Sequence, residues 1–158
     1  MAHTIQIAPV RKTITVAASQ AHAFDVFVNG IDRWWPKSHS IGEGPATKIT
    51  IEPRKGGRWY STHESGSNAV NGHVLAWEPS ERLVLSWEIN AQWKPEPGVR
   101  SEIELKFIAE GPKTTRVELL HHKFETMGEE GGQSMRGMVD SPGGWSGLLE
   151  AFKKEAEG

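Results

Sequence analysis

Alternating apolar and polar positions through the middle of the chain predict β-strands. Residues 72–89 show the pattern best, because two such runs flank a turn whose Pro79 suits the second position of a tight reversal. In the second run one set of side chains is apolar and the opposite set is mixed, namely Leu83, Leu85, Trp87 and Ile89 against Val84, Ser86 and Glu88. This segment predicts a hairpin with one buried face.

The same alternation predicts five more strands, at residues 13–16, 48–52, 58–63, 103–107 and 117–121. Segments rich in Gly, Pro, Ser or Asn separate them, and residues 64–71 are interpreted as one of these turns. Side chains alternate along a strand, so His121 shares the inward face of the last strand with Val117 and Leu119.

Apolar residues at helical spacing predict two helices, one before the second strand and one at the C-terminus. Ser19 can cap the first, whose apolar stripe consists of Phe24, Phe27, Val28 and Ile31. The second is predicted over 141–156, with Ser141 as cap and Pro142 in the first turn. Its stripe consists of Trp145, Leu148, Leu149, Phe152 and Ala156. Residues 125–144 have no clear periodicity and are interpreted as a mobile loop.

This order of elements predicts an α+β fold, in which an antiparallel sheet packs its apolar face on helices. A length of 158 residues without a linker or repeat predicts a single domain over 1–158. A net charge of -2 gives no electrostatic basis for binding nucleic acid, and no segment has the ~20 apolar residues needed for membrane insertion. With no cysteine and no signal peptide, we expect a cytoplasmic protein.

Several segments in a fixed order resemble one known family. They are Ala23-Phe24 with Phe27, Trp34-Trp35-Pro36, the turn and strand from Glu52 to Trp59, Pro79 to Leu83, Thr115 to Leu119, and Gly144-Trp145 with its trailing leucines. In this order the chain resembles the Hsp90-activator-homology (AHSA1-like) branch of the START/Bet v 1-like helix-grip superfamily. The resemblance implies a seven-stranded antiparallel sheet wrapped around a long C-terminal helix, with a cavity between them that takes small hydrophobic molecules.

Seven tryptophans against one tyrosine draw attention to the inward faces of the predicted strands. We expect Trp59, Trp87 and Trp145 to wall the cavity, although filling the core is an equally good interpretation. The remaining candidate ligand-binding residues are Trp35 near the mouth and Ser61, His63 and His121 as polar points. His39 is a weaker candidate, and residues 125–144, with Met127, Met135 and Met138, are predicted to be the lid.

No spacing of histidines and carboxylates matches a metal site, so neither a metal nor another cofactor is expected, and no catalytic residue is assigned. Three functions stay open. The first is binding of a small hydrophobic molecule. The second is an enzyme with His121 or His63 as acid or base, and the third is a chaperone-associated interaction module with an exposed apolar patch. The oligomeric state is open, a homodimer included.

Overall fold

The fold is built on one seven-stranded sheet, seen in a computed structural model that describes residues 6–39, 41–42 and 44–158. The strands are β1 (Val10–Val16), β2 (Ala46–Ile51), β3 (Arg58–His63), β4 (Asn68–Glu78), β5 (Arg82–Trp87), β6 (Ser101–Gly111) and β7 (Thr114–His122). Their order is β1-β7-β6-β5-β4-β3-β2, and every neighbouring pair is antiparallel. The predicted α+β class and the seven-stranded antiparallel sheet are confirmed.

Four helices accompany the sheet: α1 (Gln20–Val28), α2 (Ile31–Trp34), α3 (Gly128–Asp140) and α4 (Gly147–Ala156). The Ser19 side chain accepts a hydrogen bond from the His22 N–H and so caps α1, as predicted. The apolar stripe of α1 continues into α2 across a break at Gly30. A short 3₁₀ segment (Phe124–Met127) leads from β7 into α3.

The C-terminal helix α4 packs against α1, α2 and β1 and closes the aromatic core. Leu148, Leu149 and Phe152 are buried, as the stripe predicts. The Phe152 ring lies 5.3 Å from that of Phe27 and 5.5 Å from that of Trp34, in edge-to-face contacts. Aromatic contacts therefore contribute to the packing of α4 against α1 and α2, beside the aliphatic residues of the stripe.

The start of this helix differs from the prediction, since regular α-helix begins at Gly147 and not at Ser141. Residues Pro142–Ser146 form an irregular turn, in which Gly144 has the non-helical angles φ -91° and ψ -132°. A Cβ at Gly144 would come within 2.2 Å of the Val139 carbonyl oxygen, so only glycine fits this approach. Ser141 is not the cap, because its hydroxyl donates to the Met138 carbonyl.

Residues 125–144 are not the loop that the sequence suggested, because most of them form α3. The helix buries Met135 and Val139 on one side. It is fixed to β1 by a Lys12–Asp140 ion pair of 2.7 Å, and Arg136 reaches the carbonyl of Ala8. Four glycines among its 13 residues dilute the apolar stripe, which explains why periodicity failed to reveal it.

The predicted turn at 64–71 is also too long, because β4 already begins at Asn68. Trp59 pairs with Gly72 and Tyr60 pairs with Val70, so Asn71 is an extra residue opposite that step of β3. This is a β-bulge, which bends a strand and redirects a side chain. The outer face of β5 is less open than predicted too, because Val84 and Ser86 are buried.

Candidate functional site

A cavity of about 790 Å³ opens between the sheet and the segment that joins α3 to α4. Strands β3, β4 and β5 form one side, and α3 with the irregular turn forms the other. Its apolar lining comprises Trp35, Ile41, Trp59, Trp87, Ile89, Trp93, Met138, Val139, Trp145 and Leu148. The size and aromatic lining are typical of a small-molecule site.

Four tryptophans form the inner part of this cavity and touch one another. Trp35 lies 5.6 Å from Trp59 and 5.9 Å from Trp145 between ring centroids, and Trp87 lies 5.9 Å from Trp59 and 6.2 Å from Trp145. All four were predicted from sequence to belong to the site, and the structure brings them together along one cavity. Whether they contact a ligand stays a prediction.

Trp59 of β3 is fixed in place by β5, the strand on the far side of its neighbour β4. Its indole N–H donates to the Ser86 carbonyl over 2.9 Å. The close approach depends on Gly72, where a Cβ would lie 1.9 Å from that carbonyl oxygen and 2.7 Å from the indole nitrogen. The glycine therefore allows the indole to lie close to β4 and to form part of the cavity wall.

His121 does not reach the cavity, because Trp145 lies in front of it. The Trp145 indole N–H donates to His121 Nδ1 over 3.0 Å, and His121 Nε2 lies 2.8 Å from Ser101 Oγ. With Nδ1 accepting, the ring carries its proton on Nε2 and donates it to Ser101. Complete burial, with a smaller effect of the neighbouring His122, lowers the pKa of His121 to about 3, so the ring is neutral.

His63 and Ser61 are likewise buried behind the wall and do not line the cavity. His63 Nδ1 lies 3.0 Å from the Gly44 carbonyl, and its Nε2 lies 2.8 Å from Ser61 Oγ. Both ring nitrogens thus have partners within the protein. The expectation that His63, Ser61 and His121 supply the polar points of the cavity has to be corrected. Alternation assigned them to the inward face, but other side chains and loops cover them.

The mouth of the cavity is formed by two loops that sequence reasoning treated lightly or missed. The ring of His39 reaches across it, with Nε2 3.0 Å from the Gly143 carbonyl of the irregular turn, while the Trp35 indole N–H donates to the His39 carbonyl. Trp93 stands at the rim and packs on Trp87 at 6.3 Å. Among the described residues it is the one large hydrophobic side chain that is well exposed, with 42% of its surface accessible.

The polar lining of the cavity consists of Ser38, His39, Asn71, Gln133, Ser134 and Ser141. Of these, Asn71 is the one that is almost fully buried, with 3% of its surface exposed. Sequence reasoning missed Asn71 because residues 64–71 were interpreted as a turn, whereas β4 begins at Asn68. The bulge at Asn71 also redirects its side chain, and the local sequence Ala69-Val70-Asn71-Gly72 gives no signal for it.

On the outer face of the sheet His73, Ser86 and Glu88 form a second polar cluster. His73 Nδ1 lies 2.8 Å from Glu88 Oε2, and the Ser86 hydroxyl donates to the same oxygen. Burial alone would raise the pKa of Glu88, but these hydrogen bonds hold it below its ordinary value. The Ser86 oxygen also accepts a hydrogen bond from the His73 backbone N–H, but it donates to the carboxylate and not to the His73 ring, so this is not the arrangement of an activated nucleophile.

Metal and membrane chemistry receive no support from the described residues. Within the described ranges, no three His, Asp or Glu side chains converge as a metal site would require. None of the described helices has the length and apolar character to cross a bilayer.

An antiparallel sheet around a C-terminal helix, with an aromatic cavity between them, defines a helix-grip protein. The sequence profile of the family described as Activator of Hsp90 ATPase homolog 1-like protein matches residues 17–157. The chain therefore belongs to the AHSA1-like family, as the resemblance indicated. Among curated protein sequences, none matches it significantly.

Solved structures support the fold, and two of them are at least 30% identical in sequence to this chain. The anthrahydroquino-gamma-pyrone synthase Txn09 is 34% identical, with a TM-score of 0.66, covering 94% of this chain and 97% of that one. The self-sacrificing resistance protein CalC from Micromonospora echinospora is 30% identical, with a TM-score of 0.68, covering 94% and 93%. The Aha1 dimer from Colwellia psychrerythraea, at 14% identity and a TM-score of 0.64 over 96% and 97%, shows the fold alone.

Proposed function

We propose that this protein binds a small hydrophobic molecule in the tryptophan-lined cavity. The observation that carries the proposal is the cavity itself, about 790 Å³ of space that Trp35, Trp59, Trp87 and Trp145 surround without filling. A protein core is normally packed with few voids larger than a water molecule. An apolar cavity of this size, reached past a polar rim, is the usual form of a small-molecule site.

A substitution that fills part of the cavity tests this proposal. Gly137 of α3 lines the cavity, and a Cβ there would meet nothing within 4 Å. Gly137→Phe should therefore project a ring into the free space, whereas Gly137→Ala adds one methyl group and serves as the matched control. The neutral fluorescent probe N-phenyl-1-naphthylamine is titrated into the wild type and both variants.

We expect probe fluorescence to rise on binding to the wild type and to Gly137→Ala, and the affinity of Gly137→Phe to fall at least about tenfold, or ~1.4 kcal/mol. Thermal unfolding confirms that both variants are folded. Absence of binding to the wild type, or equal affinity of all three proteins, would show that the cavity is not the binding site.

An enzymatic role is the second candidate, because the 34% identical Txn09 is named a synthase. His121 and His63 cannot serve it in this structure, since both are buried and hydrogen-bonded behind the cavity wall. Of the described lining residues, His39 is the one with an imidazole, the side chain most often used as a general acid or base. Turnover of an identified substrate that His39→Gln leaves unchanged would remove this residue from such a scheme.

The chaperone-associated function finds no comparable support. It requires an exposed apolar patch, yet the large exposed hydrophobic side chain of the described chain is Trp93, at the cavity rim. The solved structure named as an HSP90 activator, from Plasmodium falciparum, is 16% identical, so its likeness concerns the fold. A homodimer remains a proposal that gel filtration with light scattering can test.

A further inference from the structure

The cavity has a buried polar group of its own, and that group restricts the chemistry of the ligand. From it we infer that the ligand is a neutral, flat ring compound whose carbonyl or hydroxyl oxygen hydrogen-bonds the Asn71 carboxamide. This inference rests on the proposed ligand-binding function and narrows the class of ligand.

Asn71 has an unused hydrogen-bonding side chain. Its carboxamide makes no hydrogen bond to any residue that the structure describes, although its backbone carbonyl accepts one from the Glu88 N–H. The carboxamide atoms are not among the fully enclosed atoms without a partner in the described chain, so they are open to the cavity and available to water or a ligand there. Asn71 lines the cavity, and a ligand there would supply the missing partner.

The backbone around Asn71 is arranged to direct it inward. The bulge places two residues of β4, Asn71 and Gly72, against the single residue Trp59 of β3. Gly72 lets the Trp59 indole lie close to the strand, and the extra residue turns the neighbouring carboxamide toward the space beside that indole. A polar group set beside an aromatic wall orients a ring that packs on the wall.

The remaining lining excludes a charged ligand. None of the described lining residues is Asp, Glu, Lys or Arg, and His39 at the mouth is the ionisable one among them. A buried charge without a partner loses far more solvation free energy than an aromatic cavity returns. A carboxylate ligand such as a fatty acid therefore fits this site poorly, whereas a neutral ketone or phenol fits it well.

Three naphthalenes of similar size test this inference. They are 2-acetylnaphthalene with a neutral ketone, 2-ethylnaphthalene without a polar atom, and 2-naphthoate with a charge. Dissociation constants are measured by tryptophan fluorescence for the wild type, Asn71→Leu and the control Asn68→Leu. Asn68 lies on the same strand but is exposed and outside the cavity.

We expect Asn71→Leu to weaken the ketone about tenfold, which corresponds to ~1.4 kcal/mol, and to leave the ethyl compound within about twofold. Asn68→Leu should change neither. Naphthoate should bind the wild type at least about tenfold more weakly than the ketone. An equal effect of Asn71→Leu on the ketone and the ethyl compound overturns the role of Asn71, and tight naphthoate binding overturns the requirement for a neutral ligand.

A second measurement does not depend on the stability of the variant. The ¹³C resonance of carbonyl-labelled 2-acetylnaphthalene bound to the wild type should lie downfield of its position in an apolar solvent, as in a hydrogen-bonded ketone. A bound ketone without this shift contradicts the inference and leaves the proposed function intact. Failure of all three compounds to bind the wild type would instead count against the proposed function itself.

Discussion

The four indole N–H groups around the cavity have different partners. Those of Trp35, Trp59 and Trp145 donate to His39, Ser86 and His121 respectively. The N–H of Trp87 is buried and has no acceptor among the described residues. The four rings thus present similar apolar surfaces to the cavity but are held by the protein to different degrees.

Because the Trp145 N–H has an acceptor and the Trp87 N–H has none among the described residues, replacing each with Phe should change the free energy of unfolding by different amounts. Trp145→Phe and Trp87→Phe remove the same atoms, but the first also leaves Nδ1 of the buried His121 without a donor. We expect Trp145→Phe to lower the free energy of unfolding by ~1–3 kcal/mol more than Trp87→Phe does. Urea denaturation measures both, and equal values would show that the Trp145–His121 hydrogen bond contributes nothing.

His121 also predicts how stability depends on pH. Its pKa in the folded protein is about 3, below the ordinary value of 6.5, so below pH 6.5 the unfolded chain binds a proton that the folded chain does not. The free energy of unfolding should therefore fall as the pH drops from 6.5 toward 3, by up to ~1.4 kcal/mol per pH unit from this residue. Between pH 6.5 and 5, before most carboxylates titrate, His121→Gln should show a flatter dependence. Titration of the His121 ring near pH 6.5 in NMR spectra of the folded protein would contradict this account.

At the level of single residues, alternation along strands predicted that Trp59 and Trp87 face the same cavity, because side chains alternate regularly between the two faces along β3 and β5. It could not predict Asn71, since the bulge changes the parity of β4 at that residue. It placed His121 on the correct face but could not reveal that Trp145, from a distant part of the chain, covers it.

Among the elements, α4 follows its sequence pattern and α3 does not. The stripe of α4 is apolar at regular intervals, and Leu148, Leu149, Phe152 and Ala156 are buried. The predicted α4 begins six residues too early, because the kink at Gly144 depends on contact with the Val139 carbonyl, which local pattern cannot show. For α3, glycines hide a stripe that tertiary packing against β1 stabilises.

Because the apolar side of α4 packs on the core, shortening one of its buried side chains should lower the free energy of unfolding. Leu149 is 3% exposed, so Leu149→Ala should lower the free energy of unfolding by ~2–5 kcal/mol through lost burial and the cavity left behind. Glu150→Ala, on the exposed side of the same helix, is the control and should stay within ~0.5 kcal/mol. A Leu149→Ala protein as stable as the control would mean that α4 does not pack as described.

For the whole molecule, the order of strands and helices and the family resemblance together predicted the helix-grip fold. The first and last strands along the chain, β1 and β7, pair with each other. Alternation within a single strand does not show which other strand it will pair with. The cavity was an implication of the resemblance, and its lining emerged from the meeting of β3, β4 and β5 with α3 and the turn before α4. Sequence thus predicted the aromatic wall better than the polar points.

A crystal structure of the protein grown with 2-acetylnaphthalene tests the central claim, that this cavity is a ligand site, most directly. The account predicts electron density for the naphthalene rings among Trp59, Trp87 and Trp145, with the ketone oxygen within hydrogen-bonding distance of the Asn71 carboxamide. Density for ordered water alone in the cavity, or for the compound at another place on the protein, would contradict it.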